Sequence, residues 1–243
     1  MNRNNPVVKN IHVGFLLVGL LFFVLNGCSY RPAYEPVDLA GQVEVKKENE
    51  FILFTPKNLA PGKWALMFYP GGLVEMDAYT PIVTQIASRG YPCILIKMPF
   101  DLAVFDAQVG KNFFPIYPDH HWIVGGHSLG GAMAGGLAKQ ETSRVKALFL
   151  LAAYPGEADT LASAKLPVLS ISASQDGLAT PAKIEANKKF LPSDTKYVVI
   201  EGGNHSQFES YGAQNGDGTA TISRSAQHNR VADEINAFLR SQP

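Results

Sequence analysis

Short apolar runs separated by stretches of helical period recur along most of this chain, and that alternation restricts its fold more than any other feature. Residues 51–54, 65–69, 93–96, 122–124, 147–151, 168–171 and 197–200 read as strands. The run at 65–69 and those after it show little polar alternation, as parallel strands covered on both faces do. Between them, residues 78–89 make a helix candidate that Gly90 ends and Asp77 is placed to cap. Pro181 stands at a first helical position and opens a second helix toward Phe190. A last amphipathic pattern over 225–239 puts Val231, Ile235 and Leu239 on one face. Strand, helix, strand order repeated in this way predicts an α/β fold: a doubly wound, mostly parallel sheet flanked by helices. With 243 residues, 46% hydrophobic and 17% charged, the chain suits one domain with a large core, and no internal repeat divides it. Lysine plus arginine balance aspartate plus glutamate at 21 each, so no basic footprint for nucleic acid is present.

The amino terminus stands apart. Arg3 and Lys9 precede an uncharged apolar run at 13–25, with no acidic residue before Glu35. The run is shorter than the roughly 20 residues a spanning helix needs, so it reads as an export signal. It ends in Leu25-Asn26-Gly27-Cys28, which resembles the bacterial lipobox. That resemblance implies cleavage after residue 27, lipid on Cys28 and an exported protein anchored to a bacterial membrane, with an uncleaved signal anchor as the alternative. Ser29, rather than aspartate, resembles the signal for the outer membrane or cell surface. Residues 28–36, with Pro32 and Pro36, read as a tether, and 37–243 as the folded domain. Cys93 is then the one thiol left; no disulfide is available to it, and a buried strand position is its expected place.

Candidate chemistry enters where a strand runs into Gly125-Gly126-His127-Ser128-Leu129-Gly130-Gly131, a G-x-S-x-G pattern directly before a helix. A serine on a tight strand-to-helix turn projects its hydroxyl above the sheet edge, and flanking glycines avoid collisions there. The hydroxyl needs a base, itself oriented by a carboxylate. In this order of elements both follow the serine, each just beyond a later strand. Asp176 follows the strand at 168–171, and His205 follows the one at 197–200. Asp159 and Asp217 compete with Asp176, but Asp159 precedes the strand and Asp217 sits in Asn215-Gly216-Asp217-Gly218, a double turn. Backbone amides for an oxyanion are expected from Leu129 and, after the strand at 65–69, from Gly72, with Leu73 next. The same glycines also serve a plain strand-to-helix connection.

Tyr69-Pro70-Gly71-Gly72, Lys97-Met98-Pro99-Phe100, the serine motif, Ser174-Gln175-Asp176-Gly177 and Glu201-Gly202-Gly203-Asn204-His205 together resemble the α/β-hydrolase superfamily, within it the dienelactone-hydrolase-like group. The resemblance runs from about residue 65 to the end. It implies Ser128 as nucleophile, Asp176 as orienting acid, His205 as base, no cofactor and a small-molecule ester as substrate. Dienelactone hydrolases use a cysteine where this chain has Ser128, which speaks against dienelactone itself.

Only about fifteen residues separate the strands at 147–151 and 168–171, too few for a helical cap. Residues 206–223 form a glycine-rich stretch that is either a flap over the site or an ordinary surface loop. Phe100, Phe105, Phe113, Phe114 and Tyr117 read first as core packing, with an acyl pocket or membrane contact as alternatives. No phosphate-binding loop, H-E-x-x-H or paired cysteines point to other chemistry, and no metal site is expected. Two functions follow: an esterase-like serine hydrolase, or a lipoprotein that binds a ligand or partner on the same scaffold without turnover.

Overall fold

A computed structural model describes residues 30–33, 39 and 41–242; the export run and Cys28 lie outside them. Eight strands form one sheet: β1 (Val43–Lys47), β2 (Phe51–Pro56), β3 (Trp64–Tyr69), β4 (Cys93–Ile96), β5 (His121–His127), β6 (Val145–Leu151), β7 (Val168–Ala173) and β8 (Lys196–Ile200). They lie in the order β1-β2-β4-β3-β5-β6-β7-β8. β1 and β2 pair antiparallel, as do β2 and β4, and the remaining pairs are parallel. Seven of these strands match the apolar runs of the sequence. β1 has no such signal because it is an edge strand whose Val43 alone is buried, the rest being Glu44, an exposed Val45 and two lysines. Charged side chains on an edge discourage pairing with another chain.

Among the described residues four α-helices accompany the sheet: α1 (Thr80–Ala87), α2 (Ser128–Gln140), α3 (Pro181–Asn187) and α4 (Arg224–Arg240). Pro181 opens α3 as expected, with Thr180 Oγ1 accepting from the Lys183 amide at 3.3 Å. Ser223 caps α4 in the same manner at 3.1 Å. Asp77 does not cap α1. A 3₁₀ turn, Met76–Tyr79, precedes that helix, and the Asp77 carboxylate pairs instead with Lys47 at 2.6 Å. The expected helix at 78–89 is thereby shortened to α1 plus this turn. The β4 to β5 connection is built of 3₁₀ turns at Pro99–Asp101, Ala103–Phe105 and Val109–Ile116, for which the sequence has no clear period.

The pleat divides the interior into two cores, as alternate side chains of a strand must face opposite sides. Leu66 and Phe68 of β3 join residues of α1 and α4 on one face. Ala65, Met67 and Tyr69 join α2 and the aromatic turn carrying Phe113 and Phe114 on the other. Cys93 lies fully buried in β4, its thiol donating to Tyr91 O at 3.2 Å, and burial pushes its pKa up. The segment between β6 and β7 holds one 3₁₀ turn, Glu157–Asp159, and turns Leu161 and Leu166 into the core, so it forms no cap.

Phe68 is fully buried between the rings of Tyr79 and Phe149, so Phe68→Ala leaves a cavity at the centre of the sheet. We expect it to lower unfolding free energy by about 3–5 kcal/mol in urea titration. A loss below about 1 kcal/mol would contradict this packing.

Candidate active site

Gly72, Ser128, Leu129, Asp176 and His205 all follow the carboxyl ends of parallel strands, where open α/β sheets bind ligands. Ser128 follows β5 and begins α2 with φ +52, a left-handed backbone that costs a non-glycine residue of order 1–3 kcal/mol. The turn is tight enough that a Cβ on Gly126 would lie 2.1 Å from Tyr69 O, and one on Gly130 2.1 Å from Pro70 O. Both positions therefore require glycine, and the surrounding backbone holds Ser128 in its strained conformation.

Asp176 follows β7 and His205 follows β8. His205 Nδ1 donates to Asp176 Oδ2 at 2.8 Å. The carboxylate accepts, so the proton sits on Nδ1 and Nε2 is left for other work. Asp176 Oδ1 accepts from the amides of Leu178 at 2.8 Å and Ala179 at 2.7 Å, which fixes the carboxylate plane. Burial raises the Asp176 pKa, but the bond and charge of His205 and these two amides outweigh it, and the pKa lies below the ordinary value. For His205 burial pulls downward, yet the hydrogen bond and charge of Asp176, with Glu209 and Asp217 behind it, leave the pKa raised.

A second buried polar group abuts this pair and has no clear signature in the sequence. His127, the residue before the serine, places Nδ1 2.7 Å from Glu209 Oε2, both side chains 1% exposed. The Tyr79 hydroxyl donates to the same oxygen, lies 3.0 Å from His127 Nδ1 and accepts from the Gly71 amide at 2.8 Å. The His127 and His205 rings are 4.4 Å apart. Burial lowers the His127 pKa, and the charge of Glu209 does not reverse it.

Asp217, weighed above as a rival to Asp176, touches no histidine side chain. Its Oδ1 accepts from the amides of Gly177 at 3.1 Å and His205 at 3.2 Å, and its Oδ2 from Ser206 at 2.8 Å. One carboxylate thus ties the Asp176 loop to the His205 loop. Further bonds secure the same stretch: Asn204 Nδ2 donates to Gly218 O at 2.7 Å and the Thr221 amide to Gly202 O at 2.7 Å. Residues 206–211 are buried and form a packed wall of the site, whereas 212–223 are half-buried or exposed and are held by the Asp217, Asn204 and Thr221 bonds.

Ser128 and His205 line one cavity of about 350 Å³ with Leu129, Ala132, Tyr154, Leu178 and Gln214. A larger hollow of about 520 Å³ lies beyond the His205 loop and is lined by neither Ser128 nor Asp176. Leu129 is in the first turn of α2, where amides have no intrahelical acceptor. Gly72 lies close by: a Cβ there would be 2.9 Å from the Leu129 side chain and 3.4 Å from Leu102. Leu73, the second choice, is excluded as a donor because its amide is bonded to Asp101 O at 2.7 Å. The five aromatic residues part company: Phe113 and Phe114 are core and Tyr117 packs against it, whereas Phe100 and Phe105 are 77% and 54% exposed.

Asp217→Ala removes the acceptor for three amides in two loops. We expect a loss of about 2–3 kcal/mol in unfolding free energy and faster amide exchange at Gly177 and Ser206. Unchanged exchange at both would show that the loops hold their places without it.

Comparison with known proteins returned a family model and many solved structures; no curated protein matched. The model of the alpha/beta hydrolase family covers residues 65–229. An alpha/beta hydrolase enzyme from the metagenome of lagoon sediments at Mar Chica, Morocco, superimposes with a TM-score of 0.60 at 16% identity, over 81% of this chain and 99% of its own. Dienelactone hydrolase from Anabaena variabilis gives 0.59 at 16% identity, over 82% and 98%. The esterase domain of a Rhodothermus marinus protein gives 0.58 at 15% identity, over 82% and 98%. At such identities the structures share the fold, and the family model matches most of the chain: this protein belongs to the alpha/beta hydrolase family.

Proposed function

We propose that the protein is a serine hydrolase that cleaves carboxylic esters through an acyl-enzyme, with Ser128 as nucleophile, His205 as base and Asp176 as its orienting acid. The observation that carries this reading is the shared cavity of Ser128 and His205, the latter held at Nδ1 by a carboxylate that is itself fixed by two amides. Ser128 Oγ attacks the ester carbonyl while His205 Nε2 takes its proton. The resulting imidazolium is stabilised by Asp176, and the amides of Leu129 and Gly72 receive the oxyanion. Collapse releases the alcohol, which takes the proton from Nε2. Water, activated by the same nitrogen, then frees the acid and restores the serine.

The preference for an ester draws on the neighbours, which include an esterase domain and a dienelactone hydrolase. A serine in place of cysteine suits esters more than dienelactone. With no cap over the cavity, small and medium acyl groups have open access. The proposal includes export and lipid attachment at Cys28 by the lipobox-like sequence. Metabolic labelling with an alkyne fatty acid, lost in Cys28→Ser, tests that part.

A fluorophosphonate probe is expected to label the folded protein and to fail on Ser128→Ala and His205→Ala. Absence of label on the wild type would overturn the hydrolase reading. His205 acts as a base only when neutral, and its pKa is raised above the ordinary 6.5. Activity is therefore lost as pH falls through a midpoint above that value. Asp176→Asn removes the largest upward influence, so the acid limb of kcat/KM is expected to move down while the rate falls about 10⁴-fold. An unmoved limb would assign the titration to another group.

A further inference from the structure

The first described residues run straight into the site. The Tyr30 amide donates to Leu73 O at 2.8 Å, the Glu75 amide donates to Tyr30 O at 3.0 Å, and the Tyr30 ring stacks on Tyr211 at 4.4 Å. The Ala33 amide donates to Ser210 O at 2.8 Å. The chain is thus strapped to the loop that carries Gly72 and to the wall that follows His205. Cys28 is two residues before Tyr30, and an extended chain spans at most about 3.6 Å per residue. At that limit Cys28 is no more than about 7 Å of chain from Tyr30, so a lipid carried there would meet the bilayer close to this corner.

That same corner exposes apolar side chains. The Leu73 amide donates to Asp101 O, which sets Phe100 one residue from the strap. Phe100 and Phe105 meet edge to face at 5.6 Å while remaining 77% and 54% exposed, and Val104 between them is 50% exposed. Leu73, Phe100 and Asp101 all have left-handed backbones, at φ +59, +54 and +54. Such strain is retained where a side chain must be presented in a set direction. Leu102, from the middle of this loop, faces Gly72 and so joins the patch to the rim of the Ser128 cavity. Glu50, Lys97 and Asp106 share with Phe100 the hollow at its foot, both signs of charge, so apolar contact and not charge would dominate.

We propose that Phe100, Val104 and Phe105 form a membrane-docking patch which, with the lipid on Cys28, turns the Ser128 cavity toward the bilayer, and that the substrate is an acyl ester of a membrane lipid. The choice of substrate rests on the hydrolase reading; the docking does not. Apolar side chains beside a covalent lipid supply the second attachment that a lone acyl chain lacks.

The test uses the full-length lipidated chain reconstituted in phosphatidylcholine vesicles with plain or brominated acyl chains. Trp64 and Trp122 are 7% and 0% exposed, so Phe100→Trp adds a distinct reporter. Its added emission is expected to fall about twofold or more in brominated vesicles, and to do so equally at high salt. Absence of quenching overturns the docking, whatever the activity. In a second measurement, Phe100→Ser with Phe105→Ser is expected to slow turnover of a vesicle-embedded lipid ester about tenfold and leave a soluble short-acyl ester within about twofold. Equal turnover of the lipid ester by variant and wild type overturns the role of the patch in presenting it, and a wild type that cleaves the soluble ester but not the lipid ester overturns the substrate class. Quenching of the Phe100→Trp protein together with a wild type inert on both esters supports the docking and sinks the hydrolase reading instead.

Discussion

The left-handed turn at Ser128 is the constraint on which the site depends. A strand and a helix meet there with no intervening loop, and the turn closes only because Gly126 passes against Tyr69 O and Gly130 against Pro70 O. Those two carbonyls belong to the end of β3, so the neighbouring strand must stop at the same level as β5. The parallel register, which pairs Tyr69 with Gly126, ensures that it does. The loop leaving β3 then starts beside the serine, which is why Gly72 and Leu129 are neighbours although far apart in sequence. Strain at one residue is held in place by the packing of the sheet as a whole.

Two histidines and two carboxylates share the buried space beside this turn. A pair of imidazolium rings 4.4 Å apart would repel strongly in a medium of low polarizability. Burial lowers the His127 pKa while that of His205 is raised, so of the two rings His205 is the one that takes up a proton first. Glu209 lies against His127 and also adds to the field that favours a charged His205. In this arrangement His127 spaces the Glu209 carboxylate from the His205 ring.

Much of this was legible in the residues themselves, and the exceptions have physical causes. Of the seven strands that stood out, β3 to β7 are buried on both faces and so are apolar at successive positions, while β2 and β8 are apolar runs buried only in part. β1 was hidden because only Val43 meets the core. The Asp77 cap failed because a 3₁₀ turn intervenes before α1 and Lys47 lies within reach of the carboxylate, a long-range contact no local pattern reports. The order serine, aspartate, histidine, each beyond a strand, pointed to the group that the structure brings together at Asp176 and His205. Glu209 and Tyr79 were out of sight because they come from segments 130 residues apart and meet only in the fold. Asp217 stands apart from the Asp176–His205 pair, and its role in joining two loops depends on amides, which carry no residue signature.

The tie through Asp217 has a consequence for how such a protein can diverge. The short stretch from residue 214 to 218 contributes Gln214 to the cavity wall and Asp217 to the placement of both Asp176 and His205. A mutation that reshapes the cavity there also disturbs the Asp176–His205 pair. Cavity shape and the geometry of that pair are therefore pleiotropic along this stretch. Change is freer on the opposite bank, at Ala132 and Tyr154, which border the cavity away from this tie.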